Sequence, residues 1–248
     1  MSQLTLEPPE PVPGWTTGPF AALDLETTGV DPTTARIVEL ALIVEEGDGQ
    51  VTDLYAGLVD PGPEVEIPAE ASGVHGITRE RLTAEAARPA SEVLPVVHTH
   101  LRRIAEAGWP VVIYNATYDW PLLAAELRRL QPALELPECV LLDPLVLDRH
   151  VDRYRKGKRT LETACQVYDV VLEAAHSARA DALASCTVGR RLLATYPEQL
   201  ALASVMELTA LQVQAHGVWR DSFNAYLQRI AADRPPVRET WPGLERIR

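Results

Sequence analysis

Four acidic side chains interrupt apolar stretches of this chain, in positions suited to holding metal ions. Asp24 and Glu26 break a short apolar strand in Phe20-Ala-Ala-Leu-Asp-Leu-Glu-Thr-Thr-Gly29. Residues two apart on a strand share a face, so the two carboxylates stand side by side while Leu23 and Leu25 pack the other way. Asp119 falls at a strand-to-helix junction in Tyr114-Asn-Ala-Thr-Tyr-Asp119, and Asp181 closes His176-Ser-Ala-Arg-Ala-Asp181. Any one of these acids alone reads as a cap or a solvated terminus, Asp119 especially as a carboxylate complementing a helix dipole. Together they repel one another and resist burial unless a cation offsets them. Carboxylate oxygens suit Mg²⁺ or Mn²⁺. Two such ions about 3.5–4 Å apart can hold an attacking water and a leaving oxygen in line across a phosphodiester. There is no Cys or His cluster with zinc spacing, no glycine-rich phosphate loop and no Ser in a nucleophile-elbow pattern.

The elements that must position these acids are legible in the apolar pattern. After the Asp24 strand, residues 36–45 form a near-continuous apolar run that suits a strand buried on both faces. A Gly47-Asp-Gly49 turn leads to a third strand at 51–59, so the first three strands form hairpins. Prolines 61, 63 and 68 mark a loop closed by the segment 68–78, with Thr78 as N-cap of a helix starting at Arg79. Residues 91–107 carry helical periodicity up to Gly108, and 110–114 form an apolar strand. A helix from about Asp119 to Leu130 takes Pro121 in its first turn, where proline is tolerated. A short strand at 140–142 runs into a helical piece reaching Leu147. A helix at 160–168 and a long one capped by Ser177 and reaching Ala194 complete the pattern. Antiparallel strands followed by strand–helix alternation predict an α/β or α+β fold with a mixed sheet. Beyond Pro197 the composition changes, and 198–215 and 218–231 read as two helices separated near Gly217, an add-on that packs on the domain or on a partner.

Composition narrows the partners. The chain has 248 residues, with 23 Lys and Arg against 35 Asp and Glu, a net charge of −12. That balance argues against coating long nucleic acid by bulk electrostatics. It leaves room for an enzyme holding a few nucleotides at a metal site. Positive charge is concentrated locally at Arg149, Arg153, Arg155, Lys156, Lys158 and Arg159, either a phosphate-tracking edge or a solvated loop. Residues 1–16 are acidic and proline-rich, which predicts a disordered lead-in and not a signal peptide. No apolar run reaches membrane-span length. Cys139, Cys165 and Cys186 have no metal spacing and read as free buried thiols of a cytoplasmic protein.

The whole pattern resembles the DEDDh class of 3′–5′ exonucleases, with a likeness to the epsilon proofreading subunit of bacterial DNA polymerase III. Six stretches carry the resemblance in family order: Leu23-Asp-Leu-Glu-Thr-Thr-Gly29, Glu70-Ala-Ser-Gly-Val-His-Gly-Ile-Thr78, Asn115-Ala-Thr-Tyr-Asp119, Leu142-Asp-Pro-Leu145, Lys158-Arg-Thr-Leu161 and His176-Ser-Ala-Arg-Ala-Asp181. The resemblance implies a ribonuclease-H-like α/β fold with a mixed five-stranded sheet flanked by helices. It implies an exonuclease domain at 17–195 and leaves 196–248 as a helical C-terminal extension that could dock a polymerase or repair partner. By matching, Asp24, Glu26 and Asp181 ligate one divalent ion, Asp119 completes a second site, and Asp24 bridges the two. His176 is then the general base; a histidine titrates near neutrality, which suits that work. Glu70 matches a position meeting the 3′-hydroxyl end and His75 one beside the sugar and base. Thr27 and Gly29 let the backbone approach the terminal sugar, and Asn115 braces the loop carrying Asp119. The implied substrate is a single-stranded 3′ end, DNA ahead of RNA. RNA trimming similar to that of ribonuclease T or oligoribonuclease remains the alternative within this chemistry, beside a role as a partner-docking platform.

Overall fold

The computed structural model describes residues 14–173, 176–200, 204–231 and 233–247. A 3₁₀ turn at Gly14–Thr16 leads into β1 (Phe20–Thr27), β2 (Ile37–Glu45) and β3 (Val51–Asp60). Two short helices follow, α1 (Ala69–His75) and α2 (Arg79–Ala84), then β4 (Arg88–Pro89) and the long α3 (Ala90–Ala107). Next come β5 (Val111–Val112), α4 (Ala116–Leu130), β6 (Leu141–Leu142), α5 (Pro144–Val151), α6 (Leu161–Val167), α7 (Ala178–Thr195) and α8 (Val205–Ile230). The sheet order is β4-β3-β2-β1-β5-β6. β1, β2 and β3 pair antiparallel, whereas β5 lies parallel to β1 and β6 parallel to β5. The α/β architecture with a mixed sheet is as expected, with a sixth strand in place of five. The extra strand is the two-residue β4, parallel to the end of β3. Its Pro89 sits at a sheet edge, where a missing N–H costs no ladder bond.

The alternation of β1 divides its side chains between two cores. Ala21, Leu23 and Leu25 pack with Leu40, Leu42, Val97, Leu101 and Leu123 beneath α3 and α4. Phe20 and Ala22 pack with Ile43, Ala182, Cys186 and Val188 beneath α7. Asp24 and Glu26 continue the second row. The small residues of α7 bring it close to the sheet: a Cβ on Gly189 would meet Leu142 Cδ2 at 3.1 Å. Arg190, near the C-terminal end of α7, lies over the Phe20 ring at 3.9 Å. Hence α7 runs antiparallel to β1 and delivers its N-terminus to the end of the strand that bears Glu26.

Several expectations change in detail. Of the lead-in expected at 1–16, residues 1–13 lie outside the described residues. Gly14–Thr16 form an ordered turn, with Trp15 stacked on Phe20 at 6.3 Å. Helix α4 starts at Ala116 and not near Asp119, because the buried Asp143 carboxylate accepts the Asn115 and Ala116 N–H groups at 3.0 and 2.9 Å. Pro121 therefore sits in the second turn. Ser177 makes no side-chain cap; the Ala178 N–H donates to Glu39 Oε2 at 3.3 Å instead. The two helices expected beyond Pro197 are one, α8, continuous through Gly217. A mid-helix glycine costs about 1 kcal/mol, and here the flanking anchors offset it: Gln212 and His216 are buried, and Gln212 donates to the Leu141 carbonyl at 2.8 Å. Among the described residues no helix is long and apolar enough to cross a membrane. Cys165 and Cys186 are buried and Cys139 is half-buried, all three as free thiols.

Candidate active site

The site gathers at the carboxyl end of β1. Antiparallel pairing sets Glu26 directly opposite Glu39 of β2, with a register shift just beyond, between Glu26 and Thr27. Like charges opposite one another are unfavourable in a sheet, and a bulge at that point frees the chain to turn. Asp119, buried in the first turn of α4, and Asp181, in the first turn of α7, close on the same end. Among the described residues none of Asp24, Glu26, Asp119 and Asp181 forms an ion pair with Lys or Arg.

The consequence is electrostatic frustration. Burial, reinforced by Asp119, Asp181, Glu26 and Glu39, pushes the Asp24 carboxyl well above the usual carboxylate range. Burial, then Asp181 and Glu39, raises Glu26 to about 7. Asp119 is raised by burial and then by Glu26, although N–H groups of its own residue and of Leu25 pull it back. Asp181 is raised by burial and lowered in part by the His176 N–H, which donates to Oδ2 at 3.3 Å. The other oxygen, Asp181 Oδ1, is buried and has no hydrogen-bond partner among the described residues. Glu26, His176 and Asp181 each offer a ligand atom, and those atoms lie within 4.8 Å of one another. An orphaned carboxylate oxygen amid acids that lack a positive partner fits a hard divalent cation. His176 is exposed and has a left-handed backbone (φ 66°), a conformation uncommon outside glycine.

The remaining predicted residues fall around this cluster in different ways. Thr27 Oγ1 donates to the Gly29 carbonyl at 3.0 Å, closing the turn after β1. His75 is buried. Its Nδ1 accepts the Ile77 N–H at 3.0 Å, and its Nε2 lies 3.2 Å from the Thr27 carbonyl, to which the remaining ring proton must go. It therefore pins the 75–77 segment against the turn, with both ring nitrogens engaged. Burial lowers its pKa, in keeping with a neutral ring. Glu70 is exposed in the first turn of α1. Asn115 has a left-handed backbone (φ 68°), and its Oδ1 accepts from Thr117 Oγ1 at 3.1 Å, at the head of the helix that carries Asp119.

Three further residues shape the site. Glu39 joins β2 to the N-terminus of α7 and completes the acidic cluster; burial raises it as well. Its signal was an acid breaking the apolar run of β2, as Glu26 breaks β1. Tyr118 donates its hydroxyl to the Gly29 carbonyl and lies 2.5 Å from Thr27 Oγ1, so α4 holds the turn that follows Glu26. Asp143 stood in the Leu142-Asp-Pro-Leu145 stretch without a role. It accepts from Asn115, Ala116, Leu145, Val146 and Trp241, and its own N–H donates to Gln212 at 2.6 Å. Through Asp143, α8 and the Trp241 segment brace the start of α4.

Residues 21–188 match the family model described as an exonuclease. The chain belongs to the exonuclease family. The DEDDh 3′–5′ class suggested by the motifs agrees with that match and with the relatives. The chain is 34% identical over 110 residues to the PolC-type DNA polymerase III of Thermotoga petrophila, covering 44% of this chain and 7% of that protein. It is 29% identical over 178 residues to a DNA polymerase III subunit epsilon-like protein of Rhodobacter capsulatus, covering 70% and 23%. The chain thus spans a small part of these relatives' lengths. Among solved structures, a zinc-bound complex of E. coli exonuclease I with single-stranded DNA superposes with a TM-score of 0.62 at 18% identity, over 74% of this chain and 42% of that one. At that identity the likeness establishes the fold.

Proposed function

We propose that this chain is a two-metal-ion 3′–5′ exonuclease that hydrolyses the terminal phosphodiester of single-stranded nucleic acid, DNA ahead of RNA, and releases nucleoside 5′-monophosphates. The observation that carries the reading is the cluster of Asp24, Glu26, Asp119 and Asp181, raised together by burial and mutual repulsion, with Asp181 Oδ1 left unpartnered. Two Mg²⁺ or Mn²⁺ ions held there would supply charge neutralisation and Lewis acidity at the scissile phosphate. The protein's own part is positional. By the resemblance, Glu26 and Asp181 would hold one ion and Asp119 the other, with Asp24 shared between them. His176, exposed beside Glu26 and Asp181, takes the proton of the attacking water and passes it to solvent. The Thr27–Gly29 turn, held by Tyr118 and His75, lies against the terminal sugar, with Glu70 toward the 3′-hydroxyl. A single-stranded end suits this cleft because the terminal base must enter free of its partner. The neighbouring exonuclease I fold is itself known in complex with single-stranded DNA.

The same proposal divides the chain into the exonuclease domain at 17–195 and the extension at 196–248; the family match ending at residue 188 supports that boundary. It includes a polymerase or repair partner, in line with the names of the relatives, and a cytoplasmic site of action, in line with three free thiols. Cleavage of 5′-labelled single-stranded DNA and matched RNA, each with Mg²⁺, Mn²⁺ or EDTA, tests the reading. A one-nucleotide ladder that needs metal and vanishes in Asp24→Ala and His176→Ala is expected, and the faster substrate decides between DNA and RNA. No cleavage of either by the wild type would overturn it.

A further inference from the structure

Outside the acidic cluster, the feature that stands apart chemically is a groove of about 750 Å³ between α8 and the loop that follows α5. Its lining includes Arg149, Arg153 and Arg229 and the rings of Trp219, Phe223 and Tyr226 and, among the described residues, no Asp or Glu. In a chain of net charge −12, a cavity with several arginines and no acid is a local reversal of sign. The rings sit at helical spacing on one side of α8. Trp219 and Phe223 stack at 5.4 Å with planes 12° apart, and Phe223 and Tyr226 follow at 6.4 Å and 29°. Arg149 lies over the Trp219 ring with its guanidinium carbon 3.8 Å from the centroid.

The basic residues here serve different ends. Arg155 and Arg159 are bound to the buried Asp148, and Arg159 also donates to backbone carbonyls of the loop, so these two hold the loop in shape. Arg153 and Arg229 are exposed and have no carboxylate partner among the described residues. Tyr226 is 46% exposed. The far end of the loop is tied to the site, since Tyr114 Oη donates to the Arg159 carbonyl at 2.9 Å. Tyr114 directly precedes the Asn115 junction that launches Asp119. The loop that lines the groove is thus joined by a hydrogen bond to the residue preceding the junction from which Asp119 is launched.

We propose that this groove is a distal binding site for single-stranded nucleic acid, holding the strand 5′ of the nucleotide being removed. Arginines without acid partners take phosphates, and exposed ring faces take bases, which are available for stacking only in an unpaired strand. The assignment rests on the exonuclease reading above and adds to it a second contact, built partly by a helix that lies outside the 21–188 family match.

The test separates the two readings. Fluorescence anisotropy with a 5′-labelled 20-nucleotide oligothymidylate, in EDTA, measures binding by the full chain without turnover. The double variant Arg153→Glu/Arg229→Glu is expected to weaken binding at least ten-fold, and each lost phosphate contact to reduce the salt slope by about 0.7. Tyr226→Ala is expected to weaken binding about five-fold or more. With Mn²⁺, KM of the wild type is expected to fall as the substrate lengthens from 3 to 20 nucleotides, and both variants to flatten that dependence. Variants that melt like the wild type yet keep its affinity and salt slope would overturn the groove. Hydrolysis of the p-nitrophenyl ester of thymidine 5′-monophosphate needs only the acidic cluster. Its absence in the wild type would count against the exonuclease reading and leave the EDTA binding result as an independent measure of the groove.

Discussion

Two groups of buried and half-buried carboxylates lie within this one fold, and the protein treats them in opposite ways. Asp143 receives five N–H donors, and Asp148 is met by Arg155, Arg159 and the Tyr168 hydroxyl. Glu126, 1% exposed, binds Arg36 and Arg129 at 2.5 and 2.6 Å. At the end of β1, by contrast, Asp24, Glu26, Asp119 and Asp181 are gathered with no Lys or Arg partner among the described residues, and only His176 beside them. An acid supplied with donors by the fold is part of the scaffold. Acids left to repel one another suit the divalent cations proposed above.

That contrast is most sharply tested by neutralising one acid of each kind. Asp24→Asn is expected to lower single-strand cleavage on the order of 10³-fold, because the proposed metal site would lose its shared ligand. In EDTA at pH 8 the same change is expected to raise Tm, since it removes a charge that is repelled on all sides. A fall in Tm under those conditions would break the comparison. Asp143→Ala is expected to do the reverse, leaving buried N–H groups unsatisfied at about 1–3 kcal/mol each, partly relieved by relaxation. A net loss of about 3–4 kcal/mol corresponds to a Tm lower by roughly 6–16 °C. Activity per folded molecule should fall much less than in Asp24→Asn.

The pH dependence of stability follows from the raised carboxyls, among which burial also places Asp143 and Glu39. Glu26 is raised from 4.5 to about 7 in the fold, and Asp24, Asp119 and Asp181 are also raised. Between the ordinary and raised values the metal-free fold binds more protons than the unfolded chain, so its stability falls as pH rises across that window. Thermal melts in EDTA should show Tm dropping from about pH 4.5 to 7. Added Mn²⁺ should raise Tm more at pH 8 than at pH 5.5, because only the ionised cluster binds it well. An EDTA melting curve that climbs through the same window would mean that other groups dominate.

What the sequence made legible divides along the same line. The four acids were visible because each breaks or ends an apolar pattern, and periodicity alone placed Asp24 and Glu26 on one face of β1; His176 stood out only through the family resemblance. The parallel strands β5 and β6 were visible as short apolar runs. The donors around Asp143 were only partly visible: Leu145 and Val146 belong to a local N-cap ahead of Pro144, whereas those at 115, 116 and 241 are distant along the chain and no local pattern links them to the carboxylate. For the same reason α8 read as two helices. Gly217 is a local breaker, whereas the contacts of Gln212 and His216 that override it are tertiary. The basic run 149–159 read as one charge cluster, yet Arg155 and Arg159 belong to the scaffold and Arg153 faces solvent, a distinction made only by the fold around Asp148.

The smallest expected effects concern residues between the two groups. Tyr118 has neither the frustration of Asp24 nor the saturation of Asp143; it transmits the position of α4 to the turn after Glu26 through Gly29 and Thr27. Burial pushes its hydroxyl up to about 12, so it remains a donor across the working range of pH. Tyr118→Phe removes one hydroxyl from a half-buried pair and is expected to cost about 1 kcal/mol of stability. The turn it holds is the one proposed to meet the terminal sugar. The kinetic effect should therefore appear as a several-fold rise in KM for a trinucleotide, with a smaller change in kcat, because the metal ligands keep their places. If kcat fell as far as in Asp24→Asn while KM stayed fixed, Tyr118 would belong with the acids as part of the reacting centre, and the line drawn between scaffold and site would have to move to include it.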